Sequence, residues 1–195
     1  MENITNDTVQ SLYTELGIAS THASPALVQL AAVSSRFLKD LKLNTNAVLG
    51  SANYTKKEAY LLAYAVAVNE KNEALIAAFA AHAKAQGATE EELAETCACT
   101  ALMNTNNIFY RFRHFMAANQ YYNNTPAGLR MSTMMNPVMG KGLFELMSLM
   151  LSAINGCEKC VTSHEHSVKE QGATEARIYD SIRLGAVIKS LCTVI

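Results

Sequence analysis

The heptapeptides Lys84-Ala85-Gln86-Gly87-Ala88-Thr89-Glu90 and Lys169-Glu170-Gln171-Gly172-Ala173-Thr174-Glu175 share Gln-Gly-Ala-Thr-Glu, and this recurrence constrains the fold more than any other feature of the chain. Glycine tolerates the left-handed conformation that closes a helix, and a threonine oxygen takes a first-turn amide of the next. The same junction used twice implies a helical unit used twice. Three prolines in 195 residues, abundant Ala and Leu, and no run alternating apolar with polar residues predict an all-α chain. Thr55-Lys56-Lys57-Glu58 and Thr89-Glu90-Glu91-Glu92 have the capping-box form. Helices are expected over about 55–68, 73–86, 89–104, 143–152, 157–171 and 175 to the end, with 119–137 as the longest connection. The repeat, roughly 50–100 and 140–190, is expected to pack as one domain over 1–195.

Set in register on that junction, Cys157 falls on Asn72, Cys160 on Leu75 and His164 on Phe79. In both copies a glutamate, Glu58 or Glu145, lies on the preceding helix. The first copy therefore keeps the scaffold and lacks the reactive groups.

Net charge is −1 and the 16 Lys and Arg are dispersed, so neither nucleic-acid nor anionic-membrane binding is expected. The nearest basic cluster, Arg111-Phe112-Arg113-His114, is too short to suggest it. Gly142 to Ile154 is strongly apolar but well short of the ~20 residues that span a bilayer, and it contains Glu145. Met1 to Gln10 is polar and acidic, without the form of a secretory leader. The expected location is cytoplasmic, where five cysteines do not make a disulfide scaffold and a close pair is catalytic or metal-binding.

The chemistry concentrates in Gly156-Cys157-Glu158-Lys159-Cys160-Val161-Thr162-Ser163-His164-Glu165-His166. A helix starting at Cys157 puts Cys160 about 60° and His164 about 20° from it around the axis, with His166 roughly opposite. A redox dithiol needs two thiols in bonding reach, a positive neighbourhood and a base. Cys157, Cys160, Lys159 and His164 meet those needs. A zinc site on Cys157, Cys160 and His164 is the alternative, although one continuous helix cannot bring His166 to a tetrahedral fourth position. Ordinary helix packing is the third reading. The free amides at the helix start favour Cys157 as the thiolate. Glu145, in an apolar stretch, is expected to have a raised pKa suited to proton transfer. Cys97 and Cys99, about 200° apart on a helix, and Cys192 are taken as core. Phe109, Tyr110, Phe112 and Phe115 are expected to pack, with lining of a substrate path as the weaker reading, and His82 and His114 are taken as structural.

The segment Ser152 to His166, with Phe144-Glu145-Leu146, Asn106 to Arg111, Pro126 to Met131 and Asn136-Pro137 in the same order, resembles the alkyl hydroperoxide reductase D-type alkylhydroperoxidases (AhpD) of the carboxymuconolactone decarboxylase-like superfamily. The resemblance implies an all-α duplicated unit that assembles as a homotrimer. It implies reduction of organic hydroperoxides with no bound cofactor. Electrons would come from the dihydrolipoamide of a lipoylated 2-oxo-acid dehydrogenase component and pass to a partner peroxiredoxin. Cys157 and Cys160 would be the dithiol that closes to a disulfide. Cys160 would form the sulfenic acid and the mixed disulfide with the peroxiredoxin, Cys157 would be proton donor and resolving thiol, and Glu145 with His164 would relay protons. Attack by Cys160 is adopted over the helix-start argument, because His164 lies one turn away. The family often has histidine where this chain has Lys159, which cannot shuttle protons in the same way. Ring-opening or decarboxylation, as elsewhere in the superfamily, does not call for this cysteine pair.

Overall fold

A computed structural model describes residues 6–195; the reading of Met1 to Gln10 as no secretory leader falls partly outside them. The chain is all-α, as expected, with no strand among the described residues. Its helices are α1 (Asp7–Leu16), α2 (Pro25–Ala32), α3 (Arg36–Leu49), α4 (Lys56–Glu70), α5 (Glu73–Ala85), α6 (Glu90–Phe115), α7 (Gln120–Asn124), α8 (Lys141–Ile154), α9 (Glu158–Glu170) and α10 (Glu175–Val194), with a 3-10 turn at Ser132–Met134. None of these is long and apolar enough to cross a membrane.

The chain divides into two compact units, one of residues 1–89 and 183–195 and one of 90–182. In the first, α4 and α5 pack as a pair, joined by a tight turn in which Lys71 is left-handed and Asn72 caps α5 by accepting from the Leu75 amide. The end of α10 ties to this turn, through Asn72 Nδ2 on the Cys192 carbonyl (3.2 Å) and Lys189 Nζ on Glu70 (2.7 Å). At the start of α4 the capping box is present, the Thr55 side chain and Glu58 satisfying each other's amides.

In the second unit α8 and α9 form the corresponding pair, and α6 packs on both. Every residue from Leu143 to Ser152 is buried. The burial of each large apolar side chain there contributes about 1.5–3 kcal/mol, and it carries the single carboxylate of the helix, Glu145, inside.

The duplication is visible element by element. In the register of the shared junction Lys56–Glu70 falls on Lys141–Ile154, Glu73–Ala85 on Glu158–Glu170, and the start of α6 on the start of α10. Gly87 and Gly172 have φ of 86° and 85°, and the following alanine amides reach back to Ala83 and Val168 at 2.9 and 3.1 Å. One expectation is corrected: Glu58 falls on Leu143 and is occupied in a surface capping box, while Glu145 falls on Tyr60. Tyr60 packs against Phe79 with ring centroids 6.5 Å apart, so an aromatic pair stands where the second copy has Glu145 and His164.

Two further differences from the sequence reading have local causes. α6 continues eleven residues past Asn104 because its polar side chains bond back onto the helix: Asn104 Nδ2 to the Thr100 carbonyl (3.0 Å) and Thr105 Oγ1 to Ala101 (3.3 Å). Back-bonded in this way, such side chains are accommodated within a helix. The 119–137 connection holds α7 and the 3-10 turn, and Glu95 of α6 pins the residues after it by accepting from the Val138 and Met139 amides at 2.7 Å each.

Candidate active site

The candidate site is built on the turn between α8 and α9. Gly156 has φ of 70°, the left-handed conformation that glycine adopts without the cost a Cβ imposes. The amides of Gly156 and Cys157 return to Ala153 (3.2 Å) and Ser152 (3.0 Å), closing α8. A side-chain clamp from α6 holds the turn. Arg111 Nη1 donates to the Asn155 carbonyl (2.6 Å), Asn155 Nδ2 to Asn107 Oδ1 (2.9 Å), and Asn107 Nδ2 to Ser152 Oγ (2.9 Å). The Asn-Asn-Ile-Phe-Tyr-Arg motif thus acts on the turn before the cysteines.

Cys157 is the cap of α9 rather than a first-turn residue, with extended backbone and Sγ accepting from the Cys160 amide at 3.3 Å. It occupies the place of Asn72, whose side chain makes the same bond to Leu75. Cys157 and Cys160 are joined as a disulfide. Cys157 is fully enclosed, whereas Cys160 is 6% exposed and lines a cavity of about 320 Å³ with Asn106, Tyr110, Met131, Met134, Lys159 and His164 among its walls.

His164 Nδ1 lies 2.7 Å from Glu145 Oε2, and Lys141 Nζ lies 3.0 Å from Glu145 Oε1. Lys141 also donates to the Met134 carbonyl (2.6 Å). Glu145 is 3% exposed, but the expected rise in its pKa is not found. Burial, the largest single influence, pushes it up; the hydrogen bonds and charges of His164 and Lys141 together hold it below the ordinary carboxylate value. Lys141, four residues before Glu145, is the partner the sequence reading missed, although the i, i+4 spacing was available to find it. With an ionised carboxylate on Nδ1, His164 donates from Nδ1, and Nε2 is the ring atom left to exchange protons.

The structure thus brings together Cys157, Cys160, His164 and Glu145 and leaves His166 outside, on the surface 3.3 Å from Glu170. No group of three or more His, Cys, Asp or Glu side chains among the described residues is arranged to hold a metal ion. Cys99 is core, its thiol pushed up to about 12 by burial, but Cys97 and Cys192 are only half-buried because each sits near the edge of its helix's packed face. Burial raises Cys192 to about 12 as well. His82 is structural, stacked on Tyr60 and bonded to the Leu16 carbonyl (3.0 Å). His114 is not: it lies on the surface 3.6 Å from Glu158. The aromatic group divides too, with Tyr110 at the cavity and Phe112 and Phe115 exposed at 45% and 73%; a single helix cannot turn all of them to one side.

The sequence profile of the carboxymuconolactone decarboxylase family matches residues 122–193. The chain is 41% identical over 151 residues to the alkyl hydroperoxide reductase AhpD of Anaeromyxobacter dehalogenans (strain 2CP-C), covering 77% of this chain and 80% of that protein. Similar proteins of the same name occur in Azorhizobium caulinodans, at 39% identity over 79% of this chain and 84% of the relative, and in Rhizorhabdus wittichii, at 36% over 87% and 96%. Identity of this order along most of both sequences means that the chain belongs to the AhpD family.

Proposed function

We propose that the protein is a thiol peroxidase that reduces alkyl hydroperoxides through Cys157 and Cys160 and passes electrons to a partner peroxiredoxin. The observation that carries this reading is the cysteine pair at the start of α9, with Cys160 in a cavity wall beside a histidine anchored by buried Glu145. The name of the relatives, alkyl hydroperoxide reductase, supports the same activity.

In the reduced protein the Cys160 thiolate attacks the distal oxygen of ROOH. The S–O bond forms as the O–O bond breaks, and the alkoxide leaves as ROH with a proton delivered from Cys157 by way of His164 and Glu145. Cys157, now a thiolate, attacks the Cys160 sulfenic acid, forming the S–S bond as the S–O bond breaks; the hydroxide leaves as water with the proton that His164 took when the Cys160 thiol ionised. Enclosure of Cys157 suits a resolving thiol and the cavity position of Cys160 suits the attacking one. A dihydrolipoyl group, carried by a 2-oxo-acid dehydrogenase component, returns two electrons and two protons by thiol–disulfide exchange. In the relay, Cys160 forms the mixed disulfide with the peroxiredoxin. No bound cofactor is needed, and a reducing cytoplasm suits the chemistry. Self-assembly as a homotrimer belongs to the same reading; exposed Ile108, Phe112 and Phe115 supply an apolar stripe on α6 that a second copy would cover.

Cys160→Ser is expected to remove hydroperoxide turnover. Cys157→Ser should stall after one turnover, with a dimedone-reactive sulfenic acid at Cys160 detected by mass spectrometry. Full turnover in Cys160→Ser would overturn the proposal. Rates with dihydrolipoamide, measured with and without a peroxiredoxin, separate direct peroxidase action from relay.

A further inference from the structure

Lys159 lies between the two cysteines on an exposed position, and its ammonium pairs with no carboxylate among the described residues. It lines the Cys160 cavity and also a neighbouring one of about 350 Å³ whose walls include Tyr110, Arg113, His114 and Asn123. Tyr110 and Lys159 form the wall common to both. The Cys160 side is largely apolar, faced by Tyr110, Met131 and Met134. The far side is cationic. Arg113 is half-buried, steadied by the Phe109 ring 5.7 Å away and by donation from Nη2 to the Asn123 carbonyl. That bond uses only part of a guanidinium's donor set. The acidic group on this rim, Glu158, has an 80% exposed side chain and faces His114.

We propose, on the premise of the peroxidase reading above, that Lys159 and Arg113 form an anion-recognising rim and that the site selects hydroperoxides bearing a carboxylate at the far end of an apolar chain. The peroxide group meets Cys160, the chain lies along Tyr110 and the methionines, and the carboxylate reaches the two cations. A carboxylate could enter on the oxidant or on a small dithiol reductant. The oxidant is the assignment, because a lipoyl group attached to a protein is an amide and brings no carboxylate.

The test compares linoleic acid hydroperoxide with its methyl ester, which differs only at the carboxyl. The wild-type ratio of kcat/KM, acid over ester, is expected to exceed one by about 1.5- to 5-fold at low salt, the size that exposed charge pairs give, and to shrink as salt is raised. Lys159→Gln and Arg113→Gln should each bring the ratio toward one. A Lys159→Gln loss equal for acid and ester would mean that Lys159 acts only on the thiolate, and would overturn the inference. So would a preference for acid confined to dihydrolipoate over dihydrolipoamide. Absence of turnover with either hydroperoxide defeats the peroxidase reading instead. Calorimetric titration of the oxidised protein with linoleate and methyl linoleate judges the rim independently: equal affinities, or a linoleate affinity unchanged in both variants, overturn it.

Discussion

Glu145 sits at 3% exposure with His164 and Lys141 on its two oxygens, and the balance of opposing effects there has a direct consequence for pH. Its carboxyl is held below its ordinary value, so the folded-state pKa is the lower one. Stability from this cluster is present above the unfolded carboxylate value of about 4.3 and is lost as pH falls through the lower folded value. Glu145→Gln is therefore expected to lower the Tm at neutral pH, with the difference from wild type closing as pH falls below about 4.3; thermal melts through the acid range check it, and a difference that widens there would refute it. The same substitution should reduce kcat/KM by about 100-fold, the low end of general acid–base contributions, because His164 loses the carboxylate that fixes its tautomer. The cysteines are expected to differ in reactivity. After reduction, alkylation at neutral pH should mark Cys160 well before Cys99 and Cys192, whose thiols burial pushes up to about 12, with the order read by peptide mass spectrometry.

At the scale of the element, the start of α9 depends on conformations that its own residues do not impose. Gly156 needs φ of 70°, and a Cβ there would stand 3.7 Å from Arg111 Nη1. Space is adequate, so the backbone decides. Gly156→Ala should cost about 1–2 kcal/mol of stability, the penalty of left-handed backbone with a side chain, and lower turnover because Cys157 follows immediately. Thr55→Ala offers a contrast: it removes the α4 capping box and should cost about 1 kcal/mol while leaving kcat/KM unchanged. Denaturant titration and steady-state kinetics distinguish the two. The capping box, both glycine junctions and the α4–α5 and α8–α9 bounds were legible in the sequence, because they rest on contacts within a few residues. The length of α6 was not, since Asn104 and Thr105 carry the composition of a helix end and only their back-bonds show otherwise.

For the whole molecule, the duplicated helical unit explains why one pair is reactive and the other is not. Asn72, Tyr60 and Phe79 occupy the positions of Cys157, Glu145 and His164, so the first pair keeps its cap and its packing without the chemistry. Ile108, Phe112 and Phe115 recur on one exposed face of α6, and the proposed trimer gives that face a use. Phe112→Glu with Phe115→Glu is expected to shift the protein to a smaller species in light scattering after size-exclusion chromatography; an unchanged mass would exclude the stripe from the assembly contact.

The sequence by itself determined the all-α class, the repeat, and the grouping of Cys157, Cys160 and His164 along the first turns of one helix, because helix periodicity and end signals act between near neighbours. Only the tertiary structure decided what those groups meet. The Asn107–Arg111 clamp on the cysteine turn, the lowered rather than raised pKa of Glu145 and the opening of Cys160 rather than Cys157 to a cavity all depend on side chains brought together from α6, α8, α9 and the 131–134 segment. The physical reason is that desolvation, ion pairing and access are set by everything surrounding a group, most of it distant in sequence.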